Sequence, residues 1–230
     1  MSRVFAPPPT VAVPVSGGGS FPVHRVYCVG RNYAEHAVEM GFTGREPPFF
    51  FLKPADAVVP VAEGATGEIE YPTLTANLHH EIELVVAIGT GGRCIKAADA
   101  ANHIWGYAVG LDMTRRDLQN DMKKQGRPWC IGKAFEQSAP IGPIVPRAVT
   151  GELTTGAISL TVNGQMRQSA DLKDLIWNVN ETIEHLSAAW TLQPGDLIYS
   201  GTPAGVAAVV RGDVMEGHVA GLPALRVAVR

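Results

Sequence analysis

The segment Leu78–Ile88 constrains this chain more than any other, because it reads as an apolar strand that opens with two glutamates. Successive side chains of a strand point to opposite faces. In His79-His80-Glu81-Ile82-Glu83-Leu84, the two carboxylates therefore share a face, and Ile82 and Leu84 point the other way. The next face-mates, Val85 and Ala87, are apolar, so both acids sit where a strand enters a core. Two like charges there are unfavourable unless a cation neutralises them. Hard carboxylate oxygens suit Mg2+, Mn2+ or Ca2+. Taken alone, the pair reads just as well as a strand end with two solvated glutamates.

Other short strands are expected at His24–Gly30, Phe49–Leu52, Tyr107–Asp112, Leu197–Ser200 and Leu225–Val229. Ile158–Val162 and Gln165–Gln168 flank Asn163-Gly164, the signature of a two-residue hairpin turn that needs positive φ. The helices are few and short. One is expected from about Tyr33 to Met40, closed by Gly41, and another across Ala97–His103. A third starts at Thr114, whose hydroxyl is placed to cap the amide of Asp117, and stops at Gly126-Arg127-Pro128. A fourth spans Glu181–Trp190 with Asn180 as its cap. Strands outnumber helices and do not alternate with them as in a doubly wound sheet. The expectation is a β-rich α+β fold: residues 1–22 irregular or edge structure, and 23–230 one catalytic domain.

Composition excludes several functions. The 230 residues carry 46% hydrophobic and 18% charged side chains, as in globular proteins. The net charge is −3, without the basic footprint of a nucleic-acid binder. No segment approaches the roughly 20 apolar residues of a membrane span. Pro7-Pro8-Pro9 and Gly17-Gly18-Gly19 break any signal peptide. Three cysteines, Cys28, Cys94 and Cys130, lack CxxC spacing, which argues against disulfides and zinc and fits a reducing cytoplasm. Each reads as a buried or half-buried small apolar residue.

Further chemical groups lie around the two glutamates in the sequence. Asp112 ends an apolar strand, where it is either a third ligand or a helix cap. His36 and Glu39 are three apart on a predicted helix, so they form either a base with its orienting acid or an ordinary exposed pair. Arg116 and Gln119 have the same spacing and could hold a carboxylate or carbonyl, or face solvent. Lys133 lies in the mostly apolar Trp129–Phe135 run, as a snorkelling stem or a functional cation. Gly201-Thr202-Pro203-Ala204-Gly205 is a tight loop able to offer amides and a hydroxyl to an anion.

Together these blocks resemble the fumarylacetoacetate hydrolase family from about Val26 to the C-terminus. The resemblance is carried by Gly30-Arg31-Asn32-Tyr33 with His36 and Glu39, Phe51-Leu52-Lys53-Pro54, and His79-His80-Glu81-Ile82-Glu83. It continues through Leu111-Asp112-Met113-Thr114 with Arg116-Asp117, Gly132-Lys133, Asp196, and Gly201-Thr202-Pro203-Ala204-Gly205-Val206. It implies the family's C-terminal-domain fold, a mixed β-sheet roll with short helices, usually a homodimer. It implies Mg2+ or Mn2+ on Glu81, Glu83 and Asp112, with His36 and Glu39 activating water. Lys133 would stabilise developing charge on the substrate, and Arg116, Gln119, Lys133 and Thr202 would line the site for it. The implied reaction is hydrolysis of a carbon–carbon bond in a small dicarboxylic 2,4-diketo acid, with fumarylpyruvate of the gentisate route favoured. Oxaloacetate decarboxylase or general acylpyruvase activity and 2-hydroxydienedioate isomerisation are the rivals, and a non-catalytic metal-binding protein is a remote one. The residues that choose the acyl group are expected near Phe42–Pro47 or Arg127–Trp129.

Overall fold

The computed structural model describes residues 4–33 and 45–230. The expected helix at Tyr33–Met40, with His36 and Glu39, falls almost entirely outside those residues, as does half of Phe42–Pro47.

Two packed sheets form the framework of the described chain. The larger is mixed and eight-stranded. Its order is Phe49–Lys53, Val26–Gly30, Leu197–Tyr199, Ile82–Ile88, Ile104–Leu111, Ala139–Ile141 and Val58–Pro60, with Val145–Pro146 also paired to Ile104–Leu111. The smaller, five-stranded sheet runs Gln165–Asp171, Ala157–Val162, Val214–Val219, Leu225–Val229 and Thr66–Ile69. The β-rich α+β reading holds: mixed sheets with short helices.

Strand alternation sorts the core into two. Ile82, Leu84 and Val86 face the smaller sheet and pack with Ile158, Leu160, Met215 and Val227. Val85 and Ala87 face the opposite way, into a second core with Val26, Cys28, Tyr199 and Ala108. Every residue of the Ile82–Ile88 strand is buried, Glu83 included. Residues 12–22 are more ordered than an irregular segment. Ala12–Pro14 pairs antiparallel with Ser20–Pro22, and Val13 and Phe21 insert into the second core. Alternation of apolar and small residues in that stretch was masked by its Pro and Gly content.

The Asn163-Gly164 turn forms as expected, with φ of 50° and 77°. The Asn163 side chain also accepts from the Val214 amide at 2.9 Å and donates to Asp213 at 2.8 Å, fixing the hairpin to the next strand. Two helix caps differ from expectation. The helix Val179–Ala189 is capped by Asn178 in a reciprocal box with Glu181, two residues before Asn180. The helix Arg116–Lys124 has no side-chain cap, because Thr114 is drawn into a strand pair with His79. All three cysteines are free, but only Cys28 is buried; Cys94 and Cys130 lie on exposed loops or helix ends. Among the described residues no helix is long and apolar enough to cross a membrane.

Candidate active site

Backbone register brings the three acids together. Ile82 pairs with Leu111 and Glu83 with Gly110 in the antiparallel centre of the large sheet. One step further, the Asp112 amide donates to the Glu81 carbonyl at 2.8 Å, so Glu81 and Asp112 sit side by side at the strand ends. A carboxylate oxygen from each of Glu81, Glu83 and Asp112 lies within 4.8 Å of the others, and all three residues are buried. Gly110 is required there: a Cβ on it would meet Val85 Cγ2 at 2.5 Å and the Tyr199 ring at 2.7 Å.

Buried cations surround the acids. Lys133 Nζ donates to Glu81 Oε2 at 2.8 Å, to Asp112 Oδ2 at 2.6 Å and to Thr114 Oγ1 at 2.7 Å. It stands at the end of the short helix Cys130–Lys133, which lies close against the Arg116–Lys124 helix through Gly132; a Cβ on Gly132 would meet Gln119 Cβ at 2.9 Å. Arg116 pairs with Glu81 and donates to Gln119 Oε1 at 2.6 Å. Both residues are buried, so their shared helix face turns into the protein rather than to solvent. Lys53 ends the Phe49–Lys53 strand, and its ammonium lies 2.8 Å from Asp112 Oδ1. It also donates to the carbonyls of Met113 and Lys133.

The electrostatics follow from this packing. Three carboxylates, Glu81, Glu83 and Asp112, face three cations, Lys53, Arg116 and Lys133. Among the described residues no ion pair reaches Glu83, whose Oε2 accepts the Gly201 amide at 2.7 Å. Burial, then the Asp112 and Glu81 charges, push its carboxyl well above the usual range, against the Gly201 amide and Lys133. Burial pulls Lys133 down, but Asp112 and Glu81 outweigh it and raise the ammonium overall. Burial and the Arg116 charge lower His79 to about 4, so it is neutral near pH 7. These donors fit a divalent cation: three hard oxygens converge, and one of them has no counter-charge.

Thr202 completes the ring. Glu81, Glu83, Arg116, Gln119, Lys133 and Thr202 line one cavity of about 30 Å3, enough for an ion or a water. Gln168 Nε2 donates to Thr202 Oγ1 at 2.8 Å and to the Pro203 carbonyl at 2.8 Å. The Gln168 carbonyl oxygen is 2.8 Å from the ring of buried His80 and accepts the Ile82 amide at 3.2 Å. Asn32 donates to the carbonyls of Ser200 and Trp177 at 2.8 and 2.9 Å, tying Gly30–Tyr33 to the loop that bears Gly201. Of the sequence-derived candidates, seven meet here: Glu81, Glu83, Asp112, Arg116, Gln119, Lys133 and Thr202. His36 and Glu39 lie outside the described residues. Lys53, Gln168 and Asn32 had not been assigned a role, and of these only Lys53 left a trace, as a charged end to an apolar strand. The Gly201–Gly205 loop, expected to offer amides to an anion, gives its Gly201 amide to the Glu83 carboxylate.

The sequence profile of the fumarylacetoacetate hydrolase C-terminal domain matches residues 25–230. This chain belongs to the fumarylacetoacetate hydrolase family. Within that family, the structure superposes with a TM-score of 0.97 on the crystal structure of fumarylpyruvate hydrolase from Pseudomonas aeruginosa in complex with Mn2+ and pyruvate. The two share 58% identity, and 99% of each chain is covered. A fumarylpyruvate hydrolase of a Ralstonia species is 49% identical over 178 residues, 77% of this chain and 90% of its own. A mitochondrial oxaloacetate tautomerase of Rattus norvegicus is 40% identical over 201 residues, 87% of this chain and 89% of its own. One family fold thus serves differently named activities.

Proposed function

We propose that this chain hydrolyses fumarylpyruvate to fumarate and pyruvate with the help of Mn2+ or Mg2+. The observation that carries this reading is the buried group of three carboxylates ringed by Lys133, Arg116, Gln119 and Thr202. The 58% identity to the Pseudomonas enzyme across 99% of both chains supports the substrate.

Glu81, Glu83 and Asp112 would hold the ion. When bound, it supplies a Lewis acid for the 2-oxo acid end of the substrate and a counter-charge for the enolate that leaves. Arg116, Gln119 and Thr202 bind and orient the pyruvoyl carboxylate and carbonyl. His36, oriented by Glu39, takes a proton from water, whose oxygen bonds to the 4-oxo carbon. The carbon–carbon bond then breaks, its electron pair departs as pyruvate enolate, and protonation gives pyruvate. Lys133 faces the developing negative charge in a site with little water, where one such donor is worth about 3–4 kcal/mol. The working form is proposed to be a homodimer, as the family resemblance implies, in a reducing cytoplasm, which the three unpaired cysteines fit.

Decarboxylation or tautomerisation of oxaloacetate uses the same enolate stabilisation but needs no attacking water. Loss of diketo-acid ultraviolet absorbance, followed with fumarylpyruvate, acetylpyruvate and oxaloacetate side by side, separates these readings. Turnover of fumarylpyruvate well above oxaloacetate is expected. Turnover of oxaloacetate alone would overturn hydrolysis.

A further inference from the structure

A second, larger cavity of about 560 Å3 opens beside the acid site, lined by residues of Phe49–Leu52, Arg127–Cys130, Arg31 and Lys133. Arg31, Phe51, Trp129 and Lys133 line both cavities, so the two adjoin. Among the described residues the larger cavity carries three cations, Arg31, Arg127 and Lys133, and no carboxylate. Its walls are otherwise aromatic or apolar. Phe49 and Phe51 pack on Trp129 with ring centroids 5.3 and 6.0 Å apart. The Arg31 guanidinium lies over Phe49 and Trp129, 5.3 and 5.9 Å from their centroids.

The three cations hold different places. Lys133 is engaged with Glu81 and Asp112, and Arg31 belongs to the shared wall. Of the three, only Arg127 lines the larger cavity without also lining the acid site. Its backbone is set: the Arg127 amide donates to the Met122 carbonyl at 2.9 Å, Gly126 turns the chain at φ 63°, and Pro128 follows. Its exposed side chain makes no hydrogen bond or ion pair among the described residues. A flat conjugated acyl chain extending from the acid site into this cavity would lie among aromatic walls in a space that Arg127 also lines.

We propose that Arg127 is the specificity-determining residue for the acyl half of the substrate, binding a carboxylate at its far end while Phe49, Phe51 and Trp129 hold the planar chain. This rests on the hydrolase reading above and extends it: the preferred substrates are acylpyruvates whose acyl group itself ends in a carboxylate. Because Arg127 is exposed and stays solvated without a partner, the carboxylate contact is expected to discriminate modestly against analogues that lack it.

The test compares kcat/KM for fumarylpyruvate and acetylpyruvate in Mn2+-loaded wild-type protein and in Arg127→Gln, with Arg127→Lys as the charge-retaining variant. Arg127→Gln should lower the fumarylpyruvate-to-acetylpyruvate ratio by up to about fivefold, the loss of an exposed ion pair, mainly through KM. Arg127→Lys should recover part of it. An unmoved ratio, or wild-type preference for acetylpyruvate, overturns the proposal. If wild-type protein turns over neither acid, the hydrolase reading falls by itself. Calorimetry with fumarate then decides the subsite: binding weakened by Arg127→Gln supports it, and equal or absent binding overturns it.

Discussion

Lys133 Nζ stands 2.6 Å from Asp112 Oδ2, and Asp112 is held from its other side by Lys53 Nζ at 2.8 Å. Two buried ammonium groups thus share one buried carboxylate, next to two more acids. The arrangement is close to neutral without an ion, and a divalent ion would leave it positive, suited to an anionic substrate. That balance connects strand register, the stability of the core and the chemistry.

Asp112→Asn should break both pairings at once. Removing one partner of a buried ion pair typically destabilises by about 3–5 kcal/mol, because the other charge remains buried. Urea unfolding of metal-free protein should show a loss of that order. Adding Lys53→Met should recover part of the stability without restoring Mn2+ binding by calorimetry. Unchanged stability in Asp112→Asn would mean that the ammonium groups find other partners.

Gln168 touches no proposed reacting atom, yet it positions Thr202 and receives the Ile82 amide. Gln168→Leu should raise KM for the diketo acid, with a loss of about tenfold in kcat/KM, in line with other residues that orient ligand-bearing groups. Stability should fall by about 1–3 kcal/mol from the polar groups left unpaired. A change confined to stability, with KM intact, would remove Thr202 from substrate binding.

His36→Ala should preserve Mn2+ binding and lower kcat by about 10²–10⁴, the usual contribution of a positioned general base. Single-turnover rates measured with saturating Mn2+ check this directly. A kcat close to wild type would assign water activation elsewhere.

Asp171 sets an acid limit at the end of the outer hairpin. The amides of Lys173 and Gly156 donate to its carboxylate and hold its pKa below the usual value. A group lowered on folding contributes stability above its unfolded pKa, near 4, and loses it as pH falls through the lower folded value. The Tm difference between wild type and Asp171→Ala should therefore be present near neutral pH and shrink in strong acid. A difference that grows on acidification would contradict the assignment.

Much of the architecture was legible because period-two alternation is local. Glu81 and Glu83 against Ile82 and Leu84 needed only strand geometry, and Asn163-Gly164 needed only positive φ. Asn178 was legible too: Glu181 stands three residues after it, completing a capping box that Asn180 lacks. Thr114 was misread because its partner, His79, is remote in sequence, and strand pairing outranked a local cap. The site was half visible for the same reason. Arg116 and Gln119 are one helical turn apart, whereas Lys53 and Gln168 reach the acids and Thr202 only through sheet register and a hairpin. Alternation says nothing of which remote strand a polar residue will meet.

The central claim is that Glu81, Glu83 and Asp112 together hold one divalent ion on which fumarylpyruvate cleavage depends. The most direct test is to remove metal by exhaustive chelation and return Mn2+ in steps, following fumarate and pyruvate formation in wild type and Glu83→Ala. Activity should be absent at the start, rise to a plateau at one Mn2+ per chain in wild type, and stay near zero in Glu83→Ala at the same concentrations. Full turnover in the chelated protein, or the same Mn2+ titration in Glu83→Ala, would contradict the account.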